Sequence, residues 1–475
     1  MHPSDIIIIG GGVTGTAIAR ELSRYKLSIV LLEKEAELAF GTSKSNSGII
    51  HPGTQNPVNS LKGRLCVQGN KLTRKIAKEL EVDFKQVGEL IVIFKEEERI
   101  ELLKIKKEAE ALGVKELRMV DRAWLQKNEP NLNKDALAAL YAPTAGIIAP
   151  YRWVYALAEN AQKNGVNIRL NCQVKKIVKQ KDYFEVHSNI ETFSSRFVIN
   201  AAGLYADEIA KMVGVSDIVI RPRKGEEFLL DKKKENLSNH LLFPLPNSKS
   251  KGILVIKTSD GNPMIGPTAQ ETEDKNDLST SDEGLKKVIE STKKLIPSIN
   301  QNDIIAYFAG LRPVAGDDFI IRHEEKVPGF INVAGIQSPG LTAAPAIALM
   351  VIGLLKKQGL KLPKKLLFHK HHPKNVHLFS FPFSRIPELI KRDPTYGDIV
   401  CRCEMVSAKE VRQAIKDGAK TLDGIKFRTR AQAGRCHGGF CTTRIMKILA
   451  EELNIPITKI SKRGIGSENI KDARA

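Results

Sequence analysis

The sequence predicts an α/β protein in three parts: a doubly wound, Rossmann-type dinucleotide-binding domain, an antiparallel-sheet domain interleaved with it, and a small helical module at the C-terminal end. Three observations predict this. A strand, a glycine turn, a helix, a second strand and a terminal acid follow one another between Ile6 and Glu33. Short strand-like runs separated by Asn, Gly and Pro fill residues 221–266, a pattern of antiparallel pairing rather than of further βαβ units. Four of the six cysteines fall within 41 residues, from Cys401 to Cys441.

The first element rests on Ile6 to Ile9, a β-branched run suited to a strand buried on both faces of a parallel sheet. Gly10, Gly12 and Gly15 follow at G-x-G-x-x-G spacing, Ala17, Ile18 and Leu22 give the next segment an apolar face, and Leu27 to Leu32 returns as a strand. Glu33 closes the unit 18 positions after Gly15. The residue types match a chemistry: glycines let backbone N–H groups approach a pyrophosphate at a helix N-terminus, and a carboxylate accepts from a ribose hydroxyl.

The chain is 475 residues long, enough for two or three domains with their own cores. Its net charge of +20 suits nucleic acid, an anionic membrane surface or anionic cofactors and substrates, and no nucleic-acid-binding motif accompanies it. The apolar stretch Leu341 to Leu355 is short for a bilayer and contains Pro345 and Gly353, so a buried helix is expected. The opening residues MHPSD lack the pattern of a secretory signal, and a cytoplasmic protein is expected.

After Glu33, the polar stretch Gly41 to Pro57 reads as a ligand-facing loop with His51 as its titratable base. Residues 60–80 and 95–112 read as solvent-facing scaffold helices, and residues 146–177 as loop, helix, Gly165 stop and strand. A strand at Phe197 to Ile199 enters Ala202-Gly203, small residues that suggest close backbone approach to a ligand. Residues 310–322 and 330–357 return to strand, loop and helix, with Arg312 expected in a loop between Gly310 and Pro313. From Lys361 to Pro394 the texture changes: His369, His371, His372, Pro373 and His377, then three phenylalanines, follow no period and read as a linker or extended strap.

Cys401-x-Cys403 and Cys436-x4-Cys441 flank a capping box, Ser407 to Glu410, that opens a helix. Each pair is expected in a turn before a helix, where N–H groups stabilise thiolates. Four thiolates serve a [2Fe–2S] cluster or a structural zinc; the spacing departs from the C-x2-C of zinc knots and favours the cluster over zinc or disulfides. Cys66 and Cys172 read as isolated reduced thiols.

These motifs carry a resemblance. GGGVTGTAIARELSR, TSKSNSGIIHPG, INAAGLYAD, GNPMIGPTA, GLRPVAGDD and GIQSPGLTAAPAIA, across residues 4–358, resemble the D-amino-acid-oxidase-like FAD-dependent oxidoreductases, in the branch of glycerol-3-phosphate and L-2-hydroxyglutarate dehydrogenases. YGDIVCRCE and TLDGIKFRTRAQAGRCHGGFC, within 396–455, resemble the bacterioferritin-associated-ferredoxin-type [2Fe–2S] domain. The pairing is similar to the anaerobic glycerol-3-phosphate dehydrogenase large subunit. The resemblance implies a Rossmann-type FAD-binding part (about 1–80, 145–215 and 305–360), an antiparallel-sheet substrate part (about 81–144 and 216–304), a linker at 361–395, a [2Fe–2S]-binding domain at 396–455 and a tail at 456–475.

By position, the resemblance implies that Gly10, Gly12 and Gly15 bind the FAD pyrophosphate and Glu33 the adenosine ribose. Thr42, Ser43, Asn46 and Ser47 would line the loop near the pyrophosphate and flavin, and Val174 would meet the adenine through its backbone. Ala202 and Gly203 would close over the cofactor, with Gly340, Leu341 and Thr342 beside the flavin's pyrimidine end. Arg312 would grip the substrate's anionic group, His51 would be the base, and Cys401, Cys403, Cys436 and Cys441 would hold the cluster. The implied reaction is oxidation of a secondary alcohol by hydride transfer to flavin, with electrons leaving through the cluster to an electron-accepting protein or quinone-linked subunit, at or near a membrane surface. Glycerol 3-phosphate is the first substrate expected. A 2-hydroxyacid is the second, because Gln337-Ser338-Pro339-Gly340-Leu341 lacks the lysine common in that loop and reads closer to the hydroxyacid branch. An amino acid is the third, and a subunit that merely relays electrons is the non-enzymatic reading.

Overall fold

The computed structural model describes residues 2–246, 251–371 and 377–470. Met1 of the opening residues, His372 and Pro373 of the strap, and the last five residues of the tail lie outside the described residues. The His2–Ile9 strand pairs in parallel with Ile29–Leu32 on one side and Thr192–Asn200 on the other. Asn167–Arg169 extends the sheet beyond Ile29–Leu32, and Phe330–Ala334 joins the far end of Thr192–Asn200. Side chains alternate along a strand, so Ile6 and Ile8 enter the core beneath the helices Val13–Leu22, Pro150–Lys163 and Gly340–Lys357, while Ile7 and Ile9 enter a second core on the opposite face with Leu204, Ile209 and Phe330. Burial on both faces is why the run is uninterrupted isoleucine.

The second sheet is nine-stranded among the described residues and antiparallel except where Leu241–Pro244 runs parallel to Glu89–Ile93. Its longest pairing joins Arg221–Leu230 to Ile304–Val314. Arg312 therefore lies on a strand, in register with Arg223, and not in the expected loop; residues 305–314, expected in the FAD part, belong to this sheet. Pro313 stands opposite Pro222, and a side chain on Gly310 would collide with the backbone of Ser45, so the two loop-like signals mark a strand against which another segment is pressed.

Two further expectations change. The Leu61–Glu79 helix is not surface scaffold: it packs on the Gly340–Lys357 helix so closely that a side chain on Gly69 would meet the Thr342 carbonyl. The segment after Lys361 is not a free linker. Lys26 and Lys365 N–H groups bond Pro363 and Arg24 carbonyls (2.8 and 2.9 Å), the Arg24 guanidinium lies 4.4 Å from the Phe368 ring centroid, and Asn160 and Asn164 donate to the His369 carbonyl. Apolar and amide partners along its path hold it against the Rossmann layer, and Ile386–Arg392 is a short helix. Gly340–Lys357 is long and apolar enough to cross a membrane by length and composition, but it is mostly buried as a core helix. Cys66 and Cys172 are buried free thiols.

Candidate active site

A cavity of about 1500 Å³ is lined on the Rossmann side by Gly10, Gly12 and Glu33 and on the antiparallel side by Glu227, Lys251 and Arg312. Gly10 has φ +111°, and a side chain there would run into the Ala201 carbonyl. Only glycine takes that turn cheaply. A Cβ on Gly15 would strike the Gly10 carbonyl, so Gly15 serves helix–strand packing and does not itself line the cavity. The Val13–Leu22 helix has no side-chain cap from Gly12 and no acid in its first turn, which leaves its N-terminal dipole open to an anion. Glu33 is buried, accepts from the N–H groups of Gly11 (2.6 Å) and Glu35 (2.9 Å), and has its pKa raised by burial against those two donors. Glycines without side chains, a helix N-terminus with no acid in its first turn and a carboxylate at the next strand end form a donor and acceptor set that fits a dinucleotide.

The loop after Glu33 spends its side chains on itself and its neighbours. Ser43 Oγ accepts the Val13 N–H (2.9 Å), Asn46 donates to the Ser43 carbonyl and accepts from Gly48 N–H (2.9 Å), and Thr42 Oγ1 donates to the Leu311 carbonyl (2.7 Å). Ser47 Oγ donates to Glu227 Oε1 (2.7 Å). All four line the cavity, as do Ala202, Gly203, Gly340 and Leu341. Thr342 does not; its hydroxyl accepts the His51 N–H (2.9 Å) and donates to the Ile49 carbonyl (3.3 Å), which fixes the segment that presents His51. Val174 stands in register with Ser188 and is likewise not among the lining residues.

His51 is gripped by its backbone, with Asn70 Nδ2 donating to its carbonyl (3.0 Å), and its ring packs edge-on to Phe243. Its Nδ1 lies 3.8 Å from Glu89 Oε2, and Glu89 Oε1 accepts from Thr54 Oγ1 (2.5 Å). Burial, then the Lys251 charge, lower the His51 pKa to about 4, so the imidazole is neutral at ordinary pH. Burial also lowers Lys251 and Arg312, and raises Glu227 to about 7 against the Ser47 hydrogen bond and the Arg312 charge. Arg312 donates to the Thr268 carbonyl (3.2 Å). Two cations, a neutral imidazole and a carboxylate that titrates near neutrality thus share one cavity.

Lys251, Glu227 and Glu89 escape sequence reasoning. Lys251 sits in a Lys- and Ser-rich run that reads as solvated, and the two glutamates sit in strands whose partners are distant in the chain. The one available signal was a carboxylate inside an otherwise apolar run, Glu89 before Leu90 to Ile93.

The four cysteines converge. Cys403 and Cys436 sulfurs are 3.5 Å apart at the surface, and Cys401 and Cys441 are buried together, with the Cys441 thiol lowering the pKa of Cys401. Backbone donors from Gln432 and Glu404 face Cys401, and others from Gly438, Gly439 and Phe440 face Cys436. Among the described residues no three His, Cys, Asp or Glu side chains gather around one ion-sized point, so the thiols stand as two pairs. Two pairs under backbone N–H groups fit a binuclear cluster better than one tetrahedral ion. The capping box is present: Ser407 Oγ accepts from Glu410 N–H and the Glu410 carboxylate accepts from Ser407 N–H.

Comparison with known proteins follows the same division. Residues 5–354 match the FAD dependent oxidoreductase family, and residues 399–451 match the BFD-like [2Fe-2S] binding domain. The chain is 42% identical over 466 residues to a glycerol 3-phosphate dehydrogenase of Caloramator mitchellensis, covering 98% of this chain and 97% of that protein. It is 35% identical over 383 residues to a glycerol 3-phosphate oxidase of Mycoplasma genitalium, covering 78% of this chain and 99% of that protein. A solved structure of dithionite-reduced L-α-glycerophosphate oxidase from Mycoplasma pneumoniae with FAD bound has a TM-score of 0.75 at 34% identity, covering 79% of this chain and all of that one (100%).

Proposed function

Because this chain belongs to the family of FAD-dependent oxidoreductases, we propose that it oxidises glycerol 3-phosphate to dihydroxyacetone phosphate and passes the electrons out through its C-terminal domain. Bound FAD supplies the acceptor for the carbinol hydride, and a bound [2Fe–2S] cluster a one-electron exit. The observation that carries the substrate reading is the pair of cations, Arg312 and Lys251, in one cavity with a neutral His51. Two cations match the charge of a phosphate dianion, and Lys251, just before the Leu254–Lys257 strand, supplies the one that Gln337 to Leu341 does not.

Substrate charge also activates the base. Lys251 is the second cause of the low His51 pKa, so a phosphate that neutralises Lys251 lifts His51 toward the range where it accepts the carbinol proton. Glu89 behind Nδ1 stabilises the imidazolium that results. In this reading residues 1–360 act on substrate, residues 396–455 export electrons, and the exposed Cys403 is the edge that meets an electron-accepting protein or quinone-linked subunit on the cytoplasmic side.

Anaerobic mixing of the purified protein with single substrates tests it. Glycerol 3-phosphate should bleach the flavin at micromolar to millimolar concentration. Bleaching by L-2-hydroxyglutarate alone would move the substrate to the hydroxyacid branch, bleaching with ammonia release to an amino acid, and no bleaching by any of them to an electron-relay subunit.

A further inference from the structure

The chain between Glu33 and Ser45 has one side on the cofactor cavity and the other against the cysteine domain. Buried Glu37 accepts from Thr421 Oγ1, the Lys420 N–H and Arg428 Nη1, each at 3.1 Å. A side chain on Gly424 would collide with the same carboxylate. Phe40 meets Phe427 edge-on at 5.9 Å. Ser461 to Ser467, expected in a tail, continue this contact. Leu422 and Asp423 N–H groups bond the Ser461 and Lys462 carbonyls (3.1 and 2.9 Å), Lys462 N–H bonds the Ser467 carbonyl (2.8 Å), and a Cβ on Gly464 would lie 2.8 Å from that of Ala36.

This turn brings Arg463 to the rim of the cavity, with its guanidinium 5.9 Å from the Phe40 ring centroid. Its nearest acid, Asp423, is 3.9 Å away, beyond hydrogen-bond distance, so the charge is incompletely paired. Lys44 lines the same stretch, and burial and then Arg463 lower its pKa to about 8. Asp423, 3.9 Å from Arg463, and Glu35 offset part of the repulsion between these two cations, and an anion lying against both would offset more of it. Their place beside Phe40, on the loop that follows the ribose-side Glu33, is the nucleotide side of the cavity and not the His51 side.

We propose that Arg463, presented by the backbone of the turn Ser461 to Ser467, completes the FAD site by supplying a cation to the dinucleotide's pyrophosphate, so that the cysteine domain helps retain the flavin. Full-length protein stripped of flavin and titrated with FAD, read by flavin fluorescence, tests this. Arg463→Ala should raise the FAD Kd about five- to tenfold, and Arg463→Lys should recover part of the loss, since a point charge replaces a fork. Riboflavin, which carries no phosphate, should bind the wild type and Arg463→Ala equally. Lys462→Ala, an exposed cation one residue away, should leave the FAD Kd unchanged. Iron content and the cluster spectrum, compared across the variants, establish that the cysteine domain is intact. An Arg463→Ala Kd within twofold of wild type, an equal loss for riboflavin, or an equal loss in Lys462→Ala would overturn the assignment.

Discussion

The two sides of the cavity are built differently. The dinucleotide cradle is made of backbone: glycines where side chains would collide, a helix N-terminus with no acid in its first turn, and loop side chains whose hydrogen bonds already close on one another or on that helix. The substrate side is made of ionisable side chains held short of full pairing, with Glu89 Oε2 and Glu227 Oε2 buried without hydrogen-bond partners. The first is a shape that exists before its ligand arrives. The second stores desolvated charge that an anionic substrate relieves, so the cradle should fail by steric filling and the substrate side by changes of charge.

The largest effect is expected in the cradle. A Cβ on Gly12 would sit 3.1 Å from Ser43 Oγ, so that hydroxyl must give by a few tenths of an ångström, and the rest of a valine side chain enters the space a pyrophosphate needs. Gly12→Val should purify folded and without flavin absorbance; normal FAD content in that variant would contradict the assignment. Next come the thiols, which belong to neither side of the cavity. Cys403→Ser and Cys436→Ser should each abolish the cluster, because a hydroxyl replaces a thiolate. Turnover with the physiological acceptor should then collapse while substrate still reduces the flavin in rapid mixing. Loss of both together would mean that the Glu37 and Arg430 contacts transmit damage from the cluster into the flavin domain; Arg430 reaches Asp260 at 3.1 Å and Asn262 at 2.8 Å across the same interface.

On the substrate side, Arg312→Ala should lower kcat/KM by an amount on the order of 2–4 kcal/mol, since it removes a cation and leaves Glu227 uncompensated. Arg312→Lys should recover only part. Unchanged kinetics in both would take Arg312 out of the site. That Arg312 lies on a strand marks where the sequence stops being legible. Strand, turn and helix between Ile6 and Glu33 are local patterns, and local periodicity is enough to read them. Gly310 and Pro313 look like loop punctuation until Ser45, more than 260 residues earlier in the chain, is seen pressed against that strand. The same holds for Ser47 with Glu227, Thr342 with His51, and Glu37 with Arg428: each is a pairing across the fold, and nothing in either residue's own neighbourhood announces it. The cysteines were legible because the C-x-C and C-x4-C spacings are local, although the sulfurs then pair across the two motifs, Cys403 with Cys436 and Cys401 with Cys441.

The smallest effect is the most diagnostic of stored charge. Glu227 is 3% exposed, and its pKa stands at about 7 against an ordinary 4.5, raised by burial and restrained by Ser47 and Arg312. Between pH 4.5 and about 7 the folded protein holds a proton that the unfolded chain releases, so stability falls as pH rises through that window and the penalty is complete above it. Glu227→Gln keeps the shape and removes the charge. It should match the wild type in Tm near pH 4.5 and exceed it above pH 7, by at most about 3 kcal/mol. Substrate binding should report the same group. A phosphate on Arg312 screens the cation that favours ionised Glu227, so binding near pH 7 should take up a proton, and the wild-type KM should climb above pH 7 as a second negative charge forms beside the substrate. In Glu227→Gln the KM profile should flatten over that range. Calorimetry in two buffers of different ionisation enthalpy measures the proton uptake directly. Equal uptake in the two proteins, with parallel Tm profiles, would remove Glu227 from the charges that the substrate senses.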